Sequence, residues 1–317
     1  MALGNERRVL CYAFGGGLGH LTRSLALIRQ LAVRVPGTYR LLANSPFAAC
    51  VESEVARVES LEFVVCSPSA NARGAMVFVR RQLEEFRPTC LIVDVFPRGL
   101  GGEFANPLGE LSATKRVLVS RHLPAEYVES FRLINFVKAN YDMVIECGER
   151  SPFSSHTNCV QTAPFLIRSA NEIEPTDDST GVVIVGSGTH EECDELRLLA
   201  NRVLSLEPTL PVRFLDPNRT GFPVINLIAS AQCVVGAAGY NLAHETTALG
   251  VPAMLVPRRR KYDDQQPRST SLSLTAEDVI RFIRNQPIAC LPRVHLYQNG
   301  AEEAATLIGS QIIQAED

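Results

Sequence analysis

The sequence predicts an α/β protein made of two parallel-sheet domains, and three observations carry that prediction. Short runs rich in Val, Ile and Leu recur with little apolar–polar alternation, as strands covered on both faces do. Between them lie stretches whose apolar residues return every three or four positions, the period of a helix. An apolar run stopping at a glycine turn before a helical stretch occurs twice, at 9–14 and at 182–185. At 317 residues the chain accommodates two domains, each able to bury its own core.

Taken in order, strand 9–14 runs into Gly15-Gly16-Gly17-Leu18-Gly19-His20, and a helical stripe of Leu21, Leu25, Ile28 and Leu31 follows at once. Strands are expected at 39–43, 61–66, 90–95, 116–120 and 143–147. Helices are expected at 72–86, closed by Pro88, and at 125–137, opened by Pro124. Residues 168–181 turn polar, acidic and non-periodic, so they read as a linker between a domain at 1–167 and another at 182–317. The second domain then offers strand 182–185, the turn Gly186-Ser187-Gly188, helix 192–204 and strands at 212–215, 233–235 and 253–256. Gly239 opens a helix that Gly250 ends. Thr275 and Asp278 have capping-box spacing for a helix to about Arg284. The final helix, 301–314, must bury Ala304, Leu307, Ile308 and Ile312, and is expected to pack across the domain junction.

Apolar residues at 46% and charged residues at 21% exclude a disordered or fibrous chain. A net charge of −3 gives no electrostatic case for nucleic acid, and no such partner is expected. Nine singly spaced cysteines, without C-x-x-C, are expected as free thiols, mostly buried, in a reducing compartment. The first strand arrives early, without a signal-peptide core, and no apolar run approaches the roughly 18 residues a membrane helix needs. The expectation is a cytoplasmic protein, with peripheral contact to a membrane surface left open.

The opening loop is not a dinucleotide fingerprint. Gly15-x-Gly17 fits, but His20 stands at the third glycine position, and the next strand ends at Asn44 rather than an acid. No Gly-Lys-Ser/Thr follows, which excludes a P-loop. What remains is a glycine loop at a helix start, where unpaired N–H groups suit phosphate, with an imidazole at its mouth. An imidazole titrates near neutrality, so His20 is a candidate general base. Asp94 closes its apolar run and belongs near the same sheet edge, placed to orient that imidazole. Arg23, one helical turn on, is expected to reach a phosphate or an acidic acceptor. Arg98 lies in another glycine loop, 96–102, that would shape an acceptor pocket.

In the second half a strand ends at Gly236, and the helix from Gly239 offers free N–H groups and a positive dipole end to a diphosphate. Glu245, six residues on, is placed to accept hydrogen bonds from a ribose diol. Asp263-Asp264-Gln265-Gln266 follows the next strand's C-terminal end, where ligands of open parallel sheets gather. The basic run Arg258-Arg259-Arg260-Lys261 is either a solvated loop or a further anion contact. The six histidines show no paired ligand spacing, so no metal is expected and the diphosphate would be held by amides and dipoles.

Two motifs carry a family resemblance. GGGLGHLTRSLAL in the first half, and ASAQCVVGAAGYNLAHETTALGVPAMLVP followed by DDQQ in the second, resemble the GT-B glycosyltransferases. Within them the similarity is to the group of the N-acetylglucosaminyl transferase that makes peptidoglycan's second lipid precursor. The resemblance implies two Rossmann-like domains facing across a cleft, the donor held by the C-terminal domain and the acceptor by the N-terminal one. Gly186, Ser187 and Gly188 would approach the donor diphosphate, and Gly239, Tyr240 and Asn241 would line the phosphates. Glu245 would bind the ribose, and Gln265 and Gln266 the sugar hydroxyls. Gly16, Gly17, Gly19, Arg23 and Arg98 would form the acceptor side. Pro267-Arg268-Ser269-Thr270 differs from the family's usual continuation, and Tyr240-Asn241 is bulkier than its usual residues.

The implied activity is transfer of a hexosyl or N-acetylhexosaminyl group from a UDP-sugar to a hydroxyl of a small-molecule or lipid-linked acceptor. His20 would be the base, and no cofactor would be needed beyond the nucleotide sugar. Two alternatives stand beside it. Gly17-Leu18-Gly19-His20-Leu21-Thr22-Arg23 also resembles nucleotide-sugar hydrolases of nonulosonic acid synthesis, whose acceptor is water. The other is a non-catalytic sugar-nucleotide-binding protein.

Overall fold

A computed structural model of the chain describes residues 7–106, 108, 111, 113–174, 180–216, 219–286 and 296–310. It divides into two compact units: residues up to Phe165 together with those from Asn299 on, and Leu166–Gln298.

The first unit holds seven strands, β1 (Arg8–Ala13), β2 (Thr38–Ala43), β3 (Leu61–Val65), β4 (Cys90–Asp94), β5 (Lys115–Ser120), β6 (Met143–Cys147) and β7 (Cys159–Thr162). They form one parallel sheet in the order β3-β2-β1-β4-β5-β6-β7. Its helices are α1 (Leu18–Arg34), α2 (Glu52–Val55), α3 (Ala72–Phe86), α4 (Ala125–Ser130) and α5 (Leu133–Asn140). The central strands are buried on both faces, which is why they read as continuous apolar runs. Leu21, Leu25, Ile28 and Leu31 of α1 are buried, as their spacing requires.

The single helix expected over 125–137 is two. Val128 and Leu133 both reach the core. Five residues apart, they would point roughly 140° away from each other on one continuous helix. A turn at Phe131–Arg132, with Arg132 at φ 48°, resets the phase.

The second unit carries β8 (Thr180–Val185), α6 (His190–Leu206), β9 (Val212–Leu215), α7 (Ile225–Ala229), β10 (Ala231–Ala237), α8 (Tyr240–Leu249), β11 (Ala253–Val256) and α9 (Ala276–Arg284). Its parallel sheet runs β11-β10-β8-β9. Val182, Ile184, Leu196, Val203, Cys233, Val235, Val279 and Ile283 make one core. Thr189 and Glu192 close a capping box on α6, and the Thr275 side chain caps α9. Gly250 ends α8 at φ 62°, a conformation that costs a glycine little.

Helix α10 (Gly300–Ile308) belongs to the first unit, packed on α1 with Ala301, Ala304, Ala305 and Ile308 buried. The Gly300 N–H donates to the Pro164 carbonyl at 3.0 Å. Any side chain at Gly300 would overlap the Ala163 carbonyl. Residues 175–179 of the expected linker, and Ile312 of the expected final stripe, lie outside the described residues. The eight described cysteines are free thiols, and among the described residues no helix is long and apolar enough to cross a membrane.

Strand order reverses between β1 and β4 in the first unit and between β8 and β10 in the second. Just beyond the C-terminal ends of such a pair is where open parallel sheets bind ligands.

Candidate functional site

In the first unit the reversal brings together His20, at the start of α1, and Asp94, the last residue of β4. His20 Nδ1 lies 2.6 Å from Asp94 Oδ2. Arg23 completes the group, donating from Nε to Asp94 Oδ1 at 3.1 Å and from Nη2 to Oδ2 at 2.8 Å. The Arg23 and Asp94 side chains are 2% and 3% exposed, whereas His20 retains 12%. Burial pushes the Asp94 carboxyl up, but the Arg23 charge and the His20 contact outweigh it and hold the pKa at about 2. Burial acts on His20 in the opposite sense and dominates, so its pKa is lowered although Asp94 raises it. A carboxylate facing Nδ1 fixes the tautomer that donates there, which leaves the Nε2 lone pair for chemistry.

The backbone around the pair is specialised. The Gly15 N–H donates to Asn44 Oδ1 at 2.8 Å, and Ser45 Oγ donates to the Gly17 carbonyl at 3.3 Å. Asn44, where a dinucleotide fold would carry its acid, holds the loop. Any side chain at Gly15 would overlap the His20 ring. Next to Asp94, Val95 adopts φ 72° inside a three-residue turn closed by the Phe96 N–H to the Asp94 carbonyl at 2.9 Å. A β-branched residue there stores strain, a common mark of functional sites. The turn sets the Phe96 ring on the imidazole, with centroids 5.4 Å apart. Tyr127 and then Phe131 continue the ring contacts outward, and Phe131 is 53% exposed.

Of the other acceptor-side residues, Gly16 is exposed and Gly17 and Gly19 are half-buried beside His20. Arg98 is engaged elsewhere, its guanidinium 4.3 Å over the Phe136 ring. Val95 and Phe96 are contributions that the sequence reading missed. Arg121, which with His122 follows a strand directly and so reads either as an acceptor-side residue or as a plain connection, is buried, and its charge also acts on His20.

In the second unit the turn Gly186-Ser187-Gly188 follows β8, and Gly239 caps α8 after β10, at the corresponding reversal. Gly186 has a packing cause, since a Cβ there would sit 2.7 Å from the Phe214 ring. Gly188 takes φ 102°. Gly239 faces open space, and no side chain caps the start of α8. Tyr240 is buried with its ring against His244, while Asn241 Oδ1 is buried with no hydrogen bond among the described residues. Glu245 is 7% exposed and has no hydrogen bond or ion pair among the described residues. Burial pushes its carboxyl up to about 8.

The two glutamines separate. Gln265 is buried, accepting from the Arg258 N–H at 3.0 Å and contacting Asp263 at 3.3 Å, so its amide holds its own loop. Gln266 is exposed. Arg258 and Arg260 of the basic run pair with Glu195 and Glu192 of α6 at 2.8 and 2.6 Å. Arg268, noted only as a departure from the family pattern, bridges the Ala238 carbonyl and Asp263 beside the start of α8. Among the described residues, no group of three or more His, Cys, Asp or Glu side chains stands together as metal ligands.

No family model and no curated protein matches the sequence. Solved structures do. The glycotransferase of kitacinnamycin is 16% identical, with 97% of this chain and 100% of that chain covered at a TM-score of 0.60. UDP-GlcNAc 2-epimerase from Neisseria meningitidis, solved with UDP-GlcNAc, is 12% identical over 97% and 100% at 0.63. The spinosyn rhamnosyltransferase SpnG with thymidine diphosphate is 14% identical over 96% of each chain at 0.52. With its two parallel-sheet α/β units, this chain has the GT-B fold.

Proposed function

We propose that the protein is a glycosyltransferase, moving a sugar from a UDP-linked donor to the hydroxyl of a small-molecule acceptor. The observation that carries this reading is the His20–Asp94 contact of 2.6 Å at the strand-order reversal. His20 Nε2 takes the proton of the acceptor hydroxyl while its oxygen bonds to the anomeric carbon. The bond from that carbon to the diphosphate breaks, and the diphosphate leaves with the electron pair. Uncapped amides at Tyr240 and Asn241, with Gly239 leaving the approach to them open, and the turn at Gly186, Ser187 and Gly188 receive the developing charge without a metal. Glu245 supplies the ribose contact, and Gln266 rather than Gln265 meets the sugar, a hexosyl or N-acetylhexosaminyl group.

Two features support a neutral acceptor with an apolar body over a lipid-linked diphosphate. The cations expected to meet an anionic acceptor, Arg23 and Arg98, are engaged with Asp94 and Phe136. The rings of Phe96, Tyr127 and Phe131 form an apolar path leading away from the imidazole.

His20→Ala tests the reading. Turnover with donor and acceptor, assayed in EDTA, should fall by roughly 10²–10⁴-fold while UDP affinity by calorimetry is retained. Full turnover in the variant removes His20 as base. A second reading, with water as the acceptor, draws support from the similarity to an epimerase, an enzyme named for acting on the nucleotide sugar itself. Sugar released from donor alone, with no transfer to any acceptor, would select it.

A further inference from the structure

Arg23 is among the largest fully buried side chains of the protein. A guanidinium rarely goes inside unless its charge is met, and here Asp94 meets it with both oxygens, at 3.1 and 2.8 Å. The oxygen that accepts from Nη2 is the one facing His20 Nδ1 at 2.6 Å. One carboxylate is therefore shared by a permanent cation and an imidazole. We propose that Arg23 is a positioning residue for His20, acting through Asp94 and also directly, its Nη2 lying 3.4 Å from His20 Nδ1: it fixes the carboxylate that orients the ring and compensates the charge that would otherwise draw a second proton onto it.

The physical argument compares the site with and without the guanidinium. A buried, uncompensated carboxylate beside an imidazole stabilises the imidazolium, whose Nε2 is protonated and useless as a base. With Arg23 in place the Arg–Asp pair is neutral, and the imidazole keeps its lone pair near neutral pH. The other groups facing the ring do not supply this balance. Arg121, beyond β5, adds positive charge and acts in the same sense as Arg23 but more weakly. Cys11 of β1, which interacts with Asp94, has its thiol pushed well up by burial and brings no charge to the site. Phe96 brings only its ring. A purely structural ion pair, stapling α1 to β4, would leave the titration of His20 unmoved.

This inference rests on His20 being the base, yet its test does not require turnover. The imidazole nitrogens of uniformly ¹⁵N-labelled protein are followed by NMR from pH 5 to 9, with His20→Gln assigning the signals. In the wild type, His20 should be neutral and protonated on Nδ1 at pH 7; an imidazolium there overturns the proposal without any variant. In Arg23→Met, the midpoint should rise by about one pH unit or more, and Arg23→Lys should recover most of that shift. The double variant Arg23→Met/Asp94→Asn, which removes both charges, should bring the midpoint back down. Where turnover is measurable, the acidic limb of the pH–rate profile should move with the midpoint. A folded Arg23→Met protein with an unchanged His20 titration sinks the inference alone. Failure to bind UDP or to turn over any donor would instead count against the transferase reading and leave the titration to be judged by itself.

Discussion

Glu245 shows how one residue joins stability to function. Its carboxyl is buried with no hydrogen bond or ion pair among the described residues, and burial pushes it up to about 8, far above the usual 4.5. Below pH 4.5 the group is protonated whether the chain is folded or not, and its full contribution to stability is present. Between 4.5 and about 8 only the unfolded chain releases the proton, so that contribution is lost as pH rises. Glu245→Gln keeps the shape and removes the proton. The variant should melt a few degrees higher than wild type at pH 7.5 and no higher at pH 4.5, by calorimetric scan. The same variant should bind UDP more weakly, by roughly tenfold, if the carboxylate meets a ribose diol; unchanged affinity would refute that contact. A buried acid that costs stability fits a ligand-binding site better than a packing role.

At the scale of elements, the described helices of nine residues or more fall into two kinds. Asn71, Thr189, Thr275 and Asn299 cap α3, α6, α9 and α10 with their side chains, whereas α1 and α8 begin at Gly17 and Gly239 with none. The two uncapped starts are those at the strand-order reversals, where free amides are worth more to a ligand than to the helix. The loop before α1 has little latitude, because a methyl at Gly15 would enter the space of the His20 ring. Gly15→Ala should therefore lose at least tenfold in turnover while UDP affinity holds, since the proposed nucleotide site lies in the second unit; unaltered turnover would show that the ring tolerates displacement.

Much of this was legible in advance. Helix 72–86 and strand 143–147 are found at their expected bounds, because long periodic stripes and doubly buried runs are strong signals. His20 and Asp94 could be paired because His20 opens the helix that follows the first strand and Asp94 ends another strand of the same sheet. The partner of Arg23 could not be read, since a charge one turn along a helix looks solvated until β4 is laid beside it. The edge strand β7 and the five-residue α7 were too short to show a period.

For the whole molecule, the path of the chain matters more than its length. The first unit is left at Phe165 and re-entered at Asn299, and the Gly300 N–H to the Pro164 carbonyl, at 3.0 Å, closes that gap inside the first unit. The second unit is thus an insertion in the first. A chain in which a short Gly-Ser bridge replaces 166–298 should fold cooperatively with α10 on α1, and His20 should titrate as in the full protein; loss of cooperative melting would show that the first unit depends on the second. The closed gap also has a mechanical meaning. Pulled from its two ends, the molecule would carry tension through α1 and α10, and the inserted unit would hang slack until that helix pair peels apart.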